Sequence, residues 1–377
     1  MRILAPREAV PRISRRAFLG GATVVGVGAL TGCSHTYAPT AKPDGKPEGR
    51  LNVYSWGDYD DPGNISKFGR QQGITVQMDA FQSNEEMIAK LGTARGTAGY
   101  DIVVPTGSYV PQMAANKMLA KLDLSLIPNF KNLEKSSINR AWDPHNEYVV
   151  AKTIGTTGFI YDTAKISQPM TSWADFMSAA TGVAKGSTSV LDDPFEVVAI
   201  YLAAHNEDLN TTDAKILEAA RKYLTGAFSK SLRNFSSDPS QNIIQRDFAL
   251  MQVYNGDARL GIEEGTYKHW KFVYPTPTAN LWMDTWAIAA GCQHPDNAHA
   301  WINFMLEPEV GYKDMEYNGY PTGLIGQRAL AEKRKLDHID MVFPPDKVMA
   351  SLTAGLLTPA QDTRVDILND MKAAAGS

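Results

Sequence analysis

The chain has 377 residues, 44% hydrophobic and 21% charged, with a formal net charge of −4 and 2 cysteines. Such a length builds a body of two lobes, and two cysteines exclude a disulfide scaffold. The acidic balance argues against nucleic acid, whose phosphates demand a basic face.

Residues 1–32 read as an export signal. Arg15 and Arg16 precede Phe18 and Leu19, and an uncharged run from Ala17 to Leu30 ends at Leu30-Thr31-Gly32-Cys33. These are a basic n-region, an apolar h-region and a small-residue cleavage site, too short and too glycine-rich for a membrane span. The paired arginines resemble the twin-arginine export motif. The tetrapeptide resembles a lipobox, which implies that Cys33 is lipidated and becomes the first mature residue, anchoring an extracytoplasmic protein to the cell membrane. One acyl chain binds a membrane only marginally, so a stable anchor needs more than one.

Residues 33–50 are rich in Pro, Gly, Ser, Thr and Lys and read as a flexible tether. Residues 1–32 hold five Arg and one Glu, so without them 32 basic residues face 40 acidic ones and the balance falls to −8. A body of that sign suits a cationic ligand. With Cys33 lipidated, Cys292 has no disulfide partner.

The body begins with a strand, "RLNVYSW", followed by a helix around 62–72, a strand "ITVQMDAF", a helix at "SNEEMIAKL" and a strand "YDIVVP". Ser83 with Glu86 forms the capping box that opens the second helix. Strand alternating with helix predicts an α/β fold with a parallel, doubly wound sheet. Ligands of such sheets sit beyond the carboxyl ends of the strands, where Trp56, Asp58, Tyr59 and the "PTGSY" loop fall. A second alternating set runs through "TSWADFMSAAT", "STSVLDDPFEVVAIYLAAH" and "DFALMQVYNGDARLGIEEG". The expected lobes are residues 51–155 and 156–280, with 281–325 returning to the first lobe and a helical segment 326–377 on the second. Two crossings predict a hinged cleft.

No phosphate-binding, zinc-protease, serine-hydrolase or C-x-x-C motif occurs, so no cofactor is expected. The histidines are scattered; His294 and His299, five apart, do not stack on one helical face, so no metal site is expected either.

"NVYSWGDY" and "LWMDTW" each place a carboxylate beside large aromatics next to a strand. An alkylammonium offers three donors and no acceptor, so it calls for carboxylates, while its alkyl stem calls for apolar walls. An aromatic face supplies a wall and a cation–π attraction of about 0.5–2 kcal/mol. Acid beside ring therefore suits a ligand that alternates charge with hydrocarbon.

From about Leu51 to Gly323 the chain resembles the polyamine (spermidine/putrescine) substrate-binding proteins of ABC importers, through "YSWGDY", "SNEEMIAKL", "YDIVVP", "TSWADF", "LDDPFEV", "YNGDA", "WMDTWAI" and "NGYPTG", all in family order. The resemblance implies a two-lobed periplasmic-binding-protein fold of type II. It also implies a monomer that closes on a polyamine and hands it to a membrane permease, without chemical turnover. Position by position, it implies ligand-binding roles for Trp56, Asp58 and Tyr59; Thr106 and Ser108; Asp193 and Glu196; Tyr254; Trp282 and Asp284; and Tyr320. Ser108 stands where spermidine binders carry tyrosine, and Tyr254 where they carry tryptophan. The family's C-terminal glutamine has no secure counterpart.

Several of these positions also have a structural alternative. Asp193-Pro194-Phe195-Glu196 is a good helix start, with Asp as N-cap and Pro at the first helical position. Trp56 and Trp282 fit a core, and Asp58 and Tyr320 fit turns. Asp284, inside an apolar run, would be costly to bury without a cationic partner. The rival function is a secreted glycosidase with paired carboxylates, and the rival ligands are a sugar, an amino acid or ferric ion.

Overall fold

The computed structural model describes residues 39–46, 48–94 and 97–376. The export signal, Cys33 and the start of the tether lie outside the described residues. The strands are β1 (Arg50–Trp56), β2 (Thr75–Phe81), β3 (Ile102–Val103), β4 (Val149–Asp162), β5 (Thr188–Leu191), β6 (Leu232–Ser236), β7 (Leu250–Tyr254), β8 (Trp270–Val273), β9 (Asn280–Ile288) and β10 (Thr353–Ala354). Their order is β2-β1-β3-β9-β4-β7-β5-β6, with β10 beside β9 and β8 beside β4.

The first lobe pairs β1 with β2 and β3 in parallel, and the second pairs β5 with β6 and β7 in parallel. Neither sheet is wholly parallel, although the alternation predicts parallel sheets. β9 runs antiparallel to β3 and β4, and β4 runs antiparallel to β7 and β8. The cause is β4 itself, which serves both lobes. Its residues up to Thr156 pair with β9, and from Thr157 onward they pair with β7. β9 is the returning strand, so it must run opposite to β4.

Each lobe has its own core. Phe68, Trp286 and Trp301 belong to the first-lobe cluster, and Phe159, Trp173 and Phe176 to the second. The C-terminal helix Gln361–Ala375 places Ile367, Leu368 and Met371 in the second core. In the preceding stretch Ala331 and Val342 pack with Tyr312 and Met315 of helix Pro308–Asn318, while Met341 packs with Ile243 and Val253.

The last part of the expected tether is not flexible. Ala41 donates its N–H to the Cys292 carbonyl at 2.8 Å, and Thr40 accepts from the Gly291 N–H at 2.8 Å. Asp296 accepts from the N–H groups of Asp44 and Gly45 at 2.8 and 3.1 Å. Asn297 donates to Glu48 at 2.9 Å. The start of helix Pro295–Met305 thus offers partners that local composition does not reveal.

Candidate functional site

The loop after β1, the loop after β3 and the middle of β9 converge on Asp284. Its side chain is buried. One carboxylate oxygen accepts from the Tyr59 hydroxyl at 2.8 Å and the other from the Thr106 hydroxyl at 2.7 Å. Tyr59 also contacts the Thr153 hydroxyl, and Asn84 holds Thr106 through its backbone and its hydroxyl. Burial pushes the Asp284 carboxyl up to about 6, against the pull of those two hydroxyl donors and, more weakly, of Lys152.

Aromatic rings stand around this carboxylate. Trp282 meets Tyr320 at 5.0 Å between centroids and Tyr254 at 5.6 Å, both edge to face. Tyr59 meets Tyr320 at 6.0 Å. Two glycines make room for the rings. A Cβ at Gly155, on β4, would overlap the Trp282 indole, and one at Gly256 would come within 2.5 Å of the Tyr320 ring. The Tyr320 hydroxyl donates to Asp257 at 2.7 Å, and burial pushes the Asp257 carboxyl up to about 6.

A second group of acids lies on the other lobe. Asp193 caps helix Pro194–Ala204 by accepting the Glu196 N–H at 3.0 Å. Glu196 is buried and accepts from the Asn280 amide at 2.7 Å. Burial first, and then repulsion by Asp193, raises the Glu196 carboxyl; burial, with repulsion from Glu85, raises Asp193. Glu85, from the helix Asn84–Ala94 of the first lobe, accepts from the Tyr109 hydroxyl at 2.6 Å. Tyr109 in turn accepts from Gln361 at 3.3 Å.

The structure therefore brings together Tyr59, Thr106, Tyr254, Trp282, Asp284 and Tyr320, with Asp193 and Glu196 on the second lobe facing Tyr254. It treats three expected residues differently. Asp58 is exposed in a left-handed turn at φ 50 and makes no side-chain hydrogen bond among the described residues. Ser108 is half-buried in the short turn Gly107–Tyr109, and its hydroxyl bonds nothing among the described residues. Trp56 packs on Phe81 at 4.5 Å, with its ring N–H buried and unpartnered. Asp257, Thr153, Glu85 and Tyr109 escape a residue-by-residue reading. Asp257 lies in "YNGDA" and Tyr109 in "PTGSY", so the signal was present, but nothing local distinguishes these side chains from helix-start and turn residues.

The arrangement is a set of acceptors with aromatic walls and an excess of negative charge. Among the described residues no group of His, Cys, Asp and Glu could hold a metal ion, and no helix is long and apolar enough to cross a membrane.

The profile of the bacterial extracellular solute-binding proteins matches residues 64–333. The spermidine/putrescine-binding periplasmic protein of Salmonella typhimurium is 34% identical over 281 residues, covering 74% of this chain and 79% of its own. The putrescine-binding periplasmic protein of Pseudomonas aeruginosa is 28% identical over 329 residues, covering 83% and 89%. Among solved structures, the spermidine/putrescine ABC transporter substrate-binding protein of Streptococcus pneumoniae superposes with a TM-score of 0.73 at 28% identity, covering 87% of this chain and 100% of that one.

Proposed function

Because the chain belongs to the bacterial extracellular solute-binding proteins, in the family of the spermidine/putrescine-binding periplasmic proteins, we propose that it binds a linear polyamine and delivers it to the permease of an ABC importer. One observation carries this reading: the buried Asp284 carboxylate, held by two hydroxyl donors, lies amid the rings of Tyr59, Trp282 and Tyr320. A carboxylate so placed is costly without a cation. An ammonium group docked there gains charge-assisted hydrogen bonds of about 1.5–3 kcal/mol each, and the rings cover its methylenes.

Asp193 and Glu196 on the opposite lobe supply acceptors for a second ammonium, so the ligand is a cation at more than one point along its length. Such a ligand also explains closure. Acids facing one another across a cleft repel until a cation lies between them. The protein works as an extracytoplasmic binding monomer without chemical turnover. It is anchored by a lipid on Cys33 after export through the twin-arginine route, and its partner is the membrane-embedded permease.

Calorimetry of the mature protein with putrescine, cadaverine, spermidine and spermine tests the reading. Saturable heat with at least one amine at low salt and neutral pH is the expected result; no heat with any of them overturns it.

A further inference from the structure

Lys152 is fully buried and lies on the strand shared by the two lobes. Its ammonium is 2.8 Å from Asp60 and 3.2 Å from Asp314. It also donates to the Tyr59 carbonyl at 3.2 Å and lies 4.4 Å from the centroid of the Tyr59 ring and 4.5 Å from that of Trp286. The ammonium thus donates to Asp314 and to the Tyr59 carbonyl and pairs by charge with Asp60, holding the loop that carries Tyr59 from its underside.

The backbone around Lys152 is unusual too. Ala151 pairs with Thr285 and Thr153 pairs with Asp284, so Lys152 is the extra residue of a bulge in β4. A bulge inserts one residue and re-aims the side chains that follow it, and a shift of one residue sends a side chain to the opposite face of a sheet. Here the insertion sets Thr153 opposite Asp284, where its hydroxyl reaches Tyr59. Burying an ammonium usually costs more than a surface pair returns, so a bulge that carries one inward, next to the site, calls for a role.

We propose that Lys152 is a positioning residue for the ligand site: clamped by Asp60 and Asp314, it fixes Tyr59 from below and so sets the hydroxyl that Tyr59 donates to Asp284. This inference rests on the proposed function. The clamp joins three elements. Asp60 follows Tyr59 in the loop after β1 and accepts from the Ser55 hydroxyl at 2.6 Å. Asp314 lies on helix Pro308–Asn318 and accepts the Asp61 N–H at 3.0 Å. Asn318, on the same helix, donates to the Tyr59 carbonyl at 3.2 Å and accepts the Tyr320 N–H at 2.9 Å. Tyr59 and Tyr320 are therefore set relative to each other by a network centred on one ammonium.

The groups acting on Asp284 are Tyr59 and Thr106, which donate to it, and Lys152, the cation that favours its carboxylate; Asp257, Asp193 and Glu196 add negative charge around Tyr254 nearby. Burial works against the Lys152 ammonium, but Asp314 and Asp60 outweigh it and keep the group charged.

The test compares wild type with the charge-free combination Asp60→Asn, Lys152→Met, Asp314→Asn, which removes the three charges together and leaves no unpaired ion. Binding of the best amine is measured by calorimetry from pH 5 to 8.5, alongside thermal unfolding of the free proteins. The expected result is a folded variant that binds about tenfold more weakly at pH 8 and in which a further Tyr59→Phe change costs much less affinity than it does in wild type. A folded variant with wild-type affinity, or one in which Tyr59→Phe costs as much as it does in wild type, overturns the inference while leaving the proposed function standing. Wild type that binds no amine overturns both. If the variant does not fold, the Lys152 ammonium resonance followed by NMR in wild type decides: it should move on amine addition, and a resonance that stays fixed overturns the inference.

Discussion

Tyr59 donates a hydrogen bond of 2.8 Å to Asp284, 225 residues further along the chain. The bond stabilises a carboxylate that has no cation of its own in contact, so a docking ammonium meets an acceptor already oriented. Asp284→Asn keeps the shape and removes the charge. Loss of one partner from a desolvated charge pair costs about 2–5 kcal/mol, or roughly 30-fold to several thousand-fold in affinity. Asp193→Asn should cost less, because asparagine still caps helix Pro194–Ala204. Calorimetry on both variants checks the order, and an equal or larger loss at Asp193 would place the principal ammonium site on the other lobe.

Gly155 leaves space for the Trp282 indole. Gly155→Ala must push the ring off the β4 surface, and overpacking of this kind costs about 1–3 kcal/mol. Trp282→Ala removes the wall outright, losing a cation–π attraction of about 0.5–2 kcal/mol with further contact area. Both variants should weaken amine binding, with Gly155→Ala acting through Trp282. The double variant should therefore bind about as weakly as Trp282→Ala alone. Additive losses would show that Gly155 acts by another route.

The buried acids make stability and binding depend on pH in opposite directions. Burial raises the carboxyls of Asp284 and Asp257 to about 6, above the roughly 3.9 of an unfolded aspartate. Their protonated forms favour the fold, a contribution fully present below about pH 4 and lost as pH rises through about 6. Amine binding needs the carboxylates and should strengthen across the same interval. The rise in unfolding temperature caused by saturating amine should therefore be larger at pH 8 than at pH 5.5. Thermal scans with and without spermidine measure it, and a rise that is flat or shrinks with pH contradicts the assignment of these acids to the site.

Cys33→Ser should leave amine affinity unchanged and stop lipid modification, releasing exported protein from the membrane. Fractionation with metabolic fatty-acid labelling checks this. A variant that stays membrane-bound and still incorporates label refutes the lipobox reading.

Local chemistry alone determined the element types and several of their ends. The Ser83 hydroxyl accepts the Glu86 N–H and Asp193 accepts that of Glu196, contacts between residues three apart that can be read from spacing. The acid-and-ring pairs were legible for the same reason: Trp282 and Asp284 are neighbours on one face of β9, at the strand's period of two. What joins these pairs into a site is not local. Asp284 depends on Tyr59 and Thr106, which the chain delivers from the loops after β1 and β3, 225 and 178 residues away. The partners of Tyr320 and Lys152, the docking of residues 40–46 and of Glu48, and the exposure of Asp58 all follow from how the elements pack. The β4 bulge shows why. One inserted residue decides which side chains face Asp284, and a run of alternating polar and apolar residues does not reveal its register until its partner strand lies beside it.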